Sequence, residues 1–269
     1  MIENSREGIF KLLLELTAVP SISATSGEVE MAQKIYHKLA SLAYFQAHPE
    51  YLQLLPLKKE SLGRSTVFAL IKAEPAVKKT VILTGHYDVV DVECFGVLKQ
   101  YAFDPMEYTR RLYRENLPKE AKRDLESGNY IFGRGVSDMK CGLAIQMALM
   151  AEASSNPGKL GLNLMFLAVP DEENNSTGMR EALSHLVQIR DKFELDYAVA
   201  INCEPSGPGA ADDRYRYIFT GTIGKIMPFF YVVGKESHVG EYFGGLECKS
   251  IGLMFKPSAG SKSRICRQG

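Results

Sequence analysis

His86, Glu172, Glu173 and Glu204 each follow a short apolar run that reads as a β-strand. Val81–Thr84 leads into Gly85-His86-Tyr87-Asp88, Leu162–Val169 into Pro170-Asp171-Glu172-Glu173, and Tyr197–Asn202 into Cys203-Glu204. In open α/β sheets ligands bind outside the carboxyl ends of the strands, so side chains far apart in sequence can converge there. Asp138 adds a fifth group, in GRGVSDMKCG (133–142), where glycines permit a tight backbone path ahead of a helix. Carboxylates forced together repel unless cations hold them. Imidazole with carboxylates suits zinc, with cobalt or manganese as substitutes, whereas calcium seldom recruits histidine. One carboxylate can bridge two such ions ~3.5–4 Å apart and so acidify a water enough to attack a carbonyl near neutral pH.

Taken singly, each residue has a commoner use. A histidine at a strand end is more often a hydrogen-bonded structural residue. Asp138 reads as a helix N-cap, and Glu172-Glu173 as charge placed against a helix dipole. Glu204, beside Pro205, reads as a loop acid. Together these readings must explain strand-end acids and an imidazole by coincidence. Other chemistries lack their motifs: GTIGK (221–225) has the wrong glycine spacing for a phosphate loop, and neither GxGxxG nor GxSxG occurs.

The positioning elements follow from hydrophobic spacing. Ile9, Leu12, Leu13 and Leu16 predict a helix that stops at Ala18-Val19-Pro20. Thr25 and Glu28 have capping-box spacing ahead of a second helix through Met31, Ile35 and Leu39. Strands are predicted at Ser65–Ala73, Val81–Thr84, Leu162–Ala168 and Tyr197–Asn202, nearly continuous in apolar residues as strands covered on both faces should be. Helices are predicted from Cys141 to Ala153 and from Gly178 to Phe193, and Val97–Asn129 reads as a polar, helix-prone insertion. Short strands alternating with helices indicate an α/β layered sheet. After Glu204, PSGPGAADD is a connector into Tyr215–Val233, read as two strands around Gly221–Gly224 and a boundary to a smaller domain.

A chain of 269 residues with 45% apolar content can bury a real core. Lys plus Arg equals Asp plus Glu at 32 each, so no field of either sign recruits nucleic acid or an acidic membrane. Acidic residues interrupt the N-terminal apolar run, and no uninterrupted apolar span reaches ~18 residues, so neither a secretory signal nor a transmembrane helix is expected. The five cysteines form no CxxC pair, and a reduced, cytoplasmic protein is expected.

TGHYDVVDV (84–92), GRGVSDMKCG (133–142), VPDEENNSTG (169–178), NCEPS (202–206) and GKESHVGEYFGG (234–245) together resemble the M20 metallopeptidase and deacylase superfamily, closest to its arginine-utilisation branch. The resemblance implies a three-layer α/β catalytic domain, residues 1–208, carrying two zinc ions, and a smaller α+β lid, residues 214–246, used for dimerisation. It makes His86 and Glu204 ligands of one ion, Glu173 a ligand of the other and Asp138 the bridge between them. Asp88 would orient the His86 imidazole, Glu172 would be the general base, and His238 would reach an active site across a homodimer to steady the substrate. The implied activity is cleavage of an amide bond in a small peptide or N-acyl amino acid, in amino-acid and in particular arginine catabolism.

Two departures from the family pattern stand out. Cys141 occupies a place where many relatives have glycine, and it is read as inert. The pattern also supplies a late histidine to the second ion, yet none follows His238, and residues 247–269 read as a polar, basic, aberrant or disordered tail. That site is therefore expected to be incomplete, and a non-catalytic remnant that binds one metal or a partner subunit is the alternative reading.

Overall fold

A computed structural model describes residues 2–58, 60–206 and 217–221. Helix α1 (Arg6–Thr17) starts at Ser5, whose side chain accepts the Gly8 N–H, and buries Leu12, Leu13 and Leu16 as their spacing predicts. Helix α2 (Ser26–Ala40) starts at Thr25 and buries Met31, Ile35 and Leu39. The Thr25 hydroxyl accepts from Gly27, while Glu28 reaches back to the N–H of Ala24, a variant of the capping box. A short α3 (Ala43–Ala47) then leads to the sheet.

Five strands, β1 (Leu52–Pro56), β2 (Ser65–Ile71), β3 (Lys79–His86), β4 (Asn163–Val169) and β5 (Asp196–Asn202), lie in the order β1-β2-β4-β3-β5. β3 runs parallel to both β4 and β5, whereas β2 is antiparallel to β4 and β1 to β2. The three parallel strands therefore end on one edge. Register pairs His86 with Val169 and Thr84 with Asn202, so the residues just past β4 and β5 leave the sheet level with His86.

Alternation along the strands builds two cores. Val67, Ala69 and Ile71 of β2, with Phe166 and Ala168 of β4, pack under α1, α2 and α6 (Cys141–Ser154). Phe68, Leu70, Met165 and Leu167 face the other way, toward Ala182 and Ile189 of α7 (Thr177–Phe193). Helices on both faces make the three layers, and β4 is buried along its whole length. β5 departs from the expectation of strands covered on both faces: Val199 and Ile201 stand 49% and 45% exposed, and β5 is the sheet edge among the described residues. β1 escaped the sequence reading because LQLLP lacks β-branched residues and ends in proline, which an edge strand tolerates. The insertion holds a 3-10 segment (Glu93–Tyr101), α4 (Pro105–Leu112) and α5 (Lys119–Glu126).

The chain separates into two units, Met1–Tyr217 and Ile218–Gly269. Of Tyr215–Val233, read as two strands, only 217–221 are described, and these carry no strand; the rest of the expected lid, including His238, and the tail 247–269 lie outside the described residues. Among the described residues no helix is long and apolar enough to cross a membrane.

Leu16 is fully buried between the helix layer and the sheet. Leu16→Ala is predicted to cost ~2–5 kcal/mol, read as a lower urea midpoint. Leu183→Ser, on a 58% exposed position of α7, should change stability by no more than ~0.5 kcal/mol in the same measurement.

Candidate metal centre

β3 delivers His86 to the sheet edge with its ring 1% exposed. Its backbone N–H donates to the Met139 thioether at 3.1 Å. Ring Nδ1 faces the backbone carbonyl of Asp88 at 3.0 Å and the Asp88 carboxylate at 3.5 Å. A proton held on Nδ1 by the carbonyl leaves Nε2 as the outward ligand atom. That atom faces Asp138 Oδ1 at 3.0 Å, Glu204 Oε1 at 3.3 Å and Glu172 Oε2 at 3.9 Å.

Asp138 reaches this point from a tight turn, Val136–Lys140, directly before α6. Gly135 opens the turn at φ 74°, and a Cβ there would lie 2.7 Å from Val89 Cγ1. Gly142 lets α6 close onto the segment that carries Glu204 out of β5, since a Cβ on it would stand 2.5 Å from the Cys203 carbonyl oxygen. Lys140, fully buried, donates to the Val19 carbonyl at 2.8 Å, and burial pushes its amine down to about 7.

The third segment is the turn after β4. Asp88 Oδ1 accepts the N–H of Glu172 at 3.0 Å, and Asp88 Oδ2 accepts that of Glu173 at 3.2 Å. The Ser23 hydroxyl donates to Asp88 Oδ2 at 2.7 Å. Burial opposes the charged form of Asp88, but His86, Ser23 and the Glu172 N–H outweigh it and hold the carboxyl below its ordinary value.

These contacts crowd acids around one imidazole. Burial works against a charged ring, yet Asp88 and Glu204 push the His86 pKa up to about 11. Burial, with repulsion from neighbouring carboxylates, raises Glu172 and Glu173, while the hydrogen bond to His86 lowers Glu204. The centre thus calls for positive charge. Two overlapping ligand groups, His86–Asp138–Glu173 and His86–Glu172–Glu204, each have their donor atoms within 4.8 Å of one another. An imidazole nitrogen plus carboxylate oxygens, with Asp138 and Glu172 about half exposed, is a donor set that fits a divalent transition metal approached from solvent.

The structure brings together His86, Asp88, Asp138, Glu172, Glu173 and Glu204; His238 lies outside the described residues. Cys141 is half-buried, and burial raises its thiol pKa. Sequence reading missed Ser23, Met139 and Lys140 in this setting, and also Asp171, which accepts the Thr177 N–H at the start of α7. Asp171 lay inside a motif already singled out. Met139 and Lys140 lay inside another, GRGVSDMKCG, and like Ser23 they are ordinary residue types whose part depends on long-range contact.

Residues 82–217 match the model of peptidase family M20/M25/M40. YqjN of Bacillus subtilis is 40% identical over 90% of this chain and 44% of its own length. RocB of the same organism is 34% identical over 91% of this chain and 43% of its own length. Succinyl-diaminopimelate desuccinylase of a Polaromonas species is 25% identical over 68% of this chain and 38% of its own length. The chain thus spans less than half the length of these curated relatives. A family match over half the chain, covering His86 through Glu204, joins the strand-end cluster to a known lineage: the chain belongs to peptidase family M20/M25/M40.

Proposed function

We propose that the chain carries the metal centre of a zinc-dependent hydrolase that cleaves an amide bond in a small peptide or N-acyl amino acid. The observation that carries this reading is a single buried imidazole whose outward nitrogen, Nε2, faces carboxylates from three separate segments. Membership in a peptidase family supports amide cleavage, and the desuccinylase relative supports an acylated amino acid as one substrate class.

His86 and Glu204 would hold one ion, Glu173 the other, and Asp138 would bridge them. When bound, the ions supply a polarised carbonyl and a water acidic enough to react near neutral pH. Glu172 takes the proton from the attacking water. Its carboxyl is half exposed and its pKa is raised, so it can accept that proton and return it to the leaving nitrogen. Asp88 keeps the His86 ring oriented. His238 would steady the substrate across a dimer formed through the 214–246 lid. A place in arginine or other amino-acid catabolism in the cytoplasm completes the proposal, in keeping with the free thiols of Cys94, Cys141 and Cys203.

A second reading, a chain that holds one ion without turnover, is favoured by one feature. Both ligand groups among the described residues draw on the same imidazole. Zinc stoichiometry separates the two: two ions with amidase activity support the hydrolase, and one ion without activity supports the second reading. A panel of dipeptides and acyl-amino acids, assayed with zinc, cobalt and manganese, addresses the substrate.

Glu172→Gln is predicted to lower turnover by ~10²–10⁴-fold with zinc content unchanged. Retained hydrolysis would remove Glu172 from the base role. Metal binding must also displace the proton that His86 holds up to about pH 11. Zinc affinity should therefore climb with pH, by ~tenfold per unit, with about one proton released on binding near neutral pH. Calorimetry in buffers of different ionisation enthalpy reads that proton, and a flat affinity with no proton release would show that the ring is already neutral in the metal-free centre.

A further inference from the structure

We propose that Glu28 and Arg64, which touch none of the reacting groups, are positioning residues that set the turn carrying Glu172 and Glu173 against His86. The inference rests on the hydrolase reading for its consequence, but its geometry stands apart from any metal.

Three consecutive backbone N–H groups in this turn are all donated to carboxylates. Asp171 donates to Glu28 Oε1 at 2.9 Å, and Glu172 and Glu173 donate to the two oxygens of Asp88. The turn is therefore clamped from two sides, by Asp88 from the end of β3 and by Glu28 from α2. Asp171 itself has φ 67°, a left-handed conformation that costs a non-glycine residue free energy and persists only where its surroundings over-determine it. They do so here: its carbonyl accepts the Ser176 N–H at 2.6 Å and its carboxylate the Thr177 N–H at 3.1 Å.

The Glu28 clamp brings a second buried carboxylate up to Asp171; burial pushes the Glu28 pKa up to about 7, and a cation between the two acids opposes that shift. Arg64 is that cation. Its Nη1 lies 3.0 Å from Glu28 Oε2 and 3.0 Å from Asp171 Oδ1, while its Nε and backbone N–H are held by Glu60 at 2.6 and 2.5 Å. Glu28 is fully buried and Arg64 is 8% exposed, so water can replace neither partner well. Glu28 Oε2 also accepts the Ala24 N–H at 2.6 Å, which fixes the carboxylate at the start of α2. The order of support runs from α2 through Glu28 and Arg64 to Asp171, and from there along the backbone to Glu172 and Glu173. Losing it leaves the turn to Asp88 and to the bonds that Asp171 accepts from Ser176 and Thr177, while the carboxylates of Glu172 and Glu173 repel one another and Asp138 with one clamp fewer behind them.

The test compares Arg64→Gln, the isosteric Glu28→Gln and the charge-retaining Arg64→Lys in the full chain, with three readouts. Hydrogen exchange on the metal-free protein should show the Asp171–Glu173 amides exchanging about tenfold faster in Arg64→Gln and Glu28→Gln, while Phe166 and Leu167 in β4 stay protected. Zinc affinity, by competition with a chromogenic chelator, should fall ~10–100-fold, and kcat should fall more than KM rises. Arg64→Lys, with one point charge in place of a fork, should lie between these variants and the wild type. Should Arg64→Gln fail to fold, Glu28→Gln and Arg64→Lys supply the same comparison. Turn and strand amides losing protection together, with zinc affinity within about twofold of wild type, would reduce the pair to a structural role and overturn the proposal. Wild-type protein that neither binds zinc nor hydrolyses amides would instead overturn the hydrolase reading, and the exchange data would still decide whether Glu28 and Arg64 hold the turn.

Discussion

The carboxylate of Asp88 accepts the N–H groups of Glu172 and Glu173 and the Ser23 hydroxyl, and it stands beside the His86 ring. The imidazole and the turn after β4 both lean on this interaction. It ties the end of β3 to the turn after β4, so the imidazole and the two glutamates share one group and cannot drift independently. A buried carboxylate with several donors stays ionised, and its charge in turn favours a proton or a cation on the neighbouring ring. Geometry and electrostatics are therefore coupled at one residue.

That coupling works because the sheet brings the pieces close beforehand. β3, β4 and β5 run parallel, so their carboxyl ends share an edge, and the register levels His86 with the residues that follow β4 and β5. The fully buried β4, packed between α6 on one face and α7 on the other, gives this edge a rigid foundation. Close approach of α6 to Cys203, permitted by Gly142, brings the Asp138 turn to the same place. A shift of one residue in any of these strands would turn its side chains to the opposite face and scatter the cluster.

Much of this was legible in the sequence, for physical reasons. Leu12, Leu13 and Leu16, or Met31, Ile35 and Leu39, repeat at helical spacing because one face of each helix must be buried. The acids and His86 stood out because they follow apolar strands directly. What escaped depends on contacts distant in sequence or on weak local signal. Glu28 reads locally as part of a helix cap, yet it also reaches Arg64, 36 residues on, and the backbone of Asp171, 143 residues on. β1 was missed because its residues carry little strand preference and its pairing with β2 supplies what propensity does not. The exposure of β5 was misjudged because an apolar composition tells how a strand pairs but not whether both its faces are covered.

The acidic centre also explains why its supports are built as they are. Carboxylates gathered around one imidazole repel, and the repulsion acts on the backbone that carries them as much as on the side chains. Hydrophobic packing resists collapse but cannot aim a turn whose own charges push it outward. Donors fixed to a buried acceptor can, since breaking them strands a charged oxygen away from water. Hence the turn after β4 is held by carboxylates behind it, Glu28 and Asp88, each neutralised by its own cation or proton donor, Arg64 and His86. Negative charge is placed on both sides of the backbone, and the arrangement persists because positive charge stands at each end.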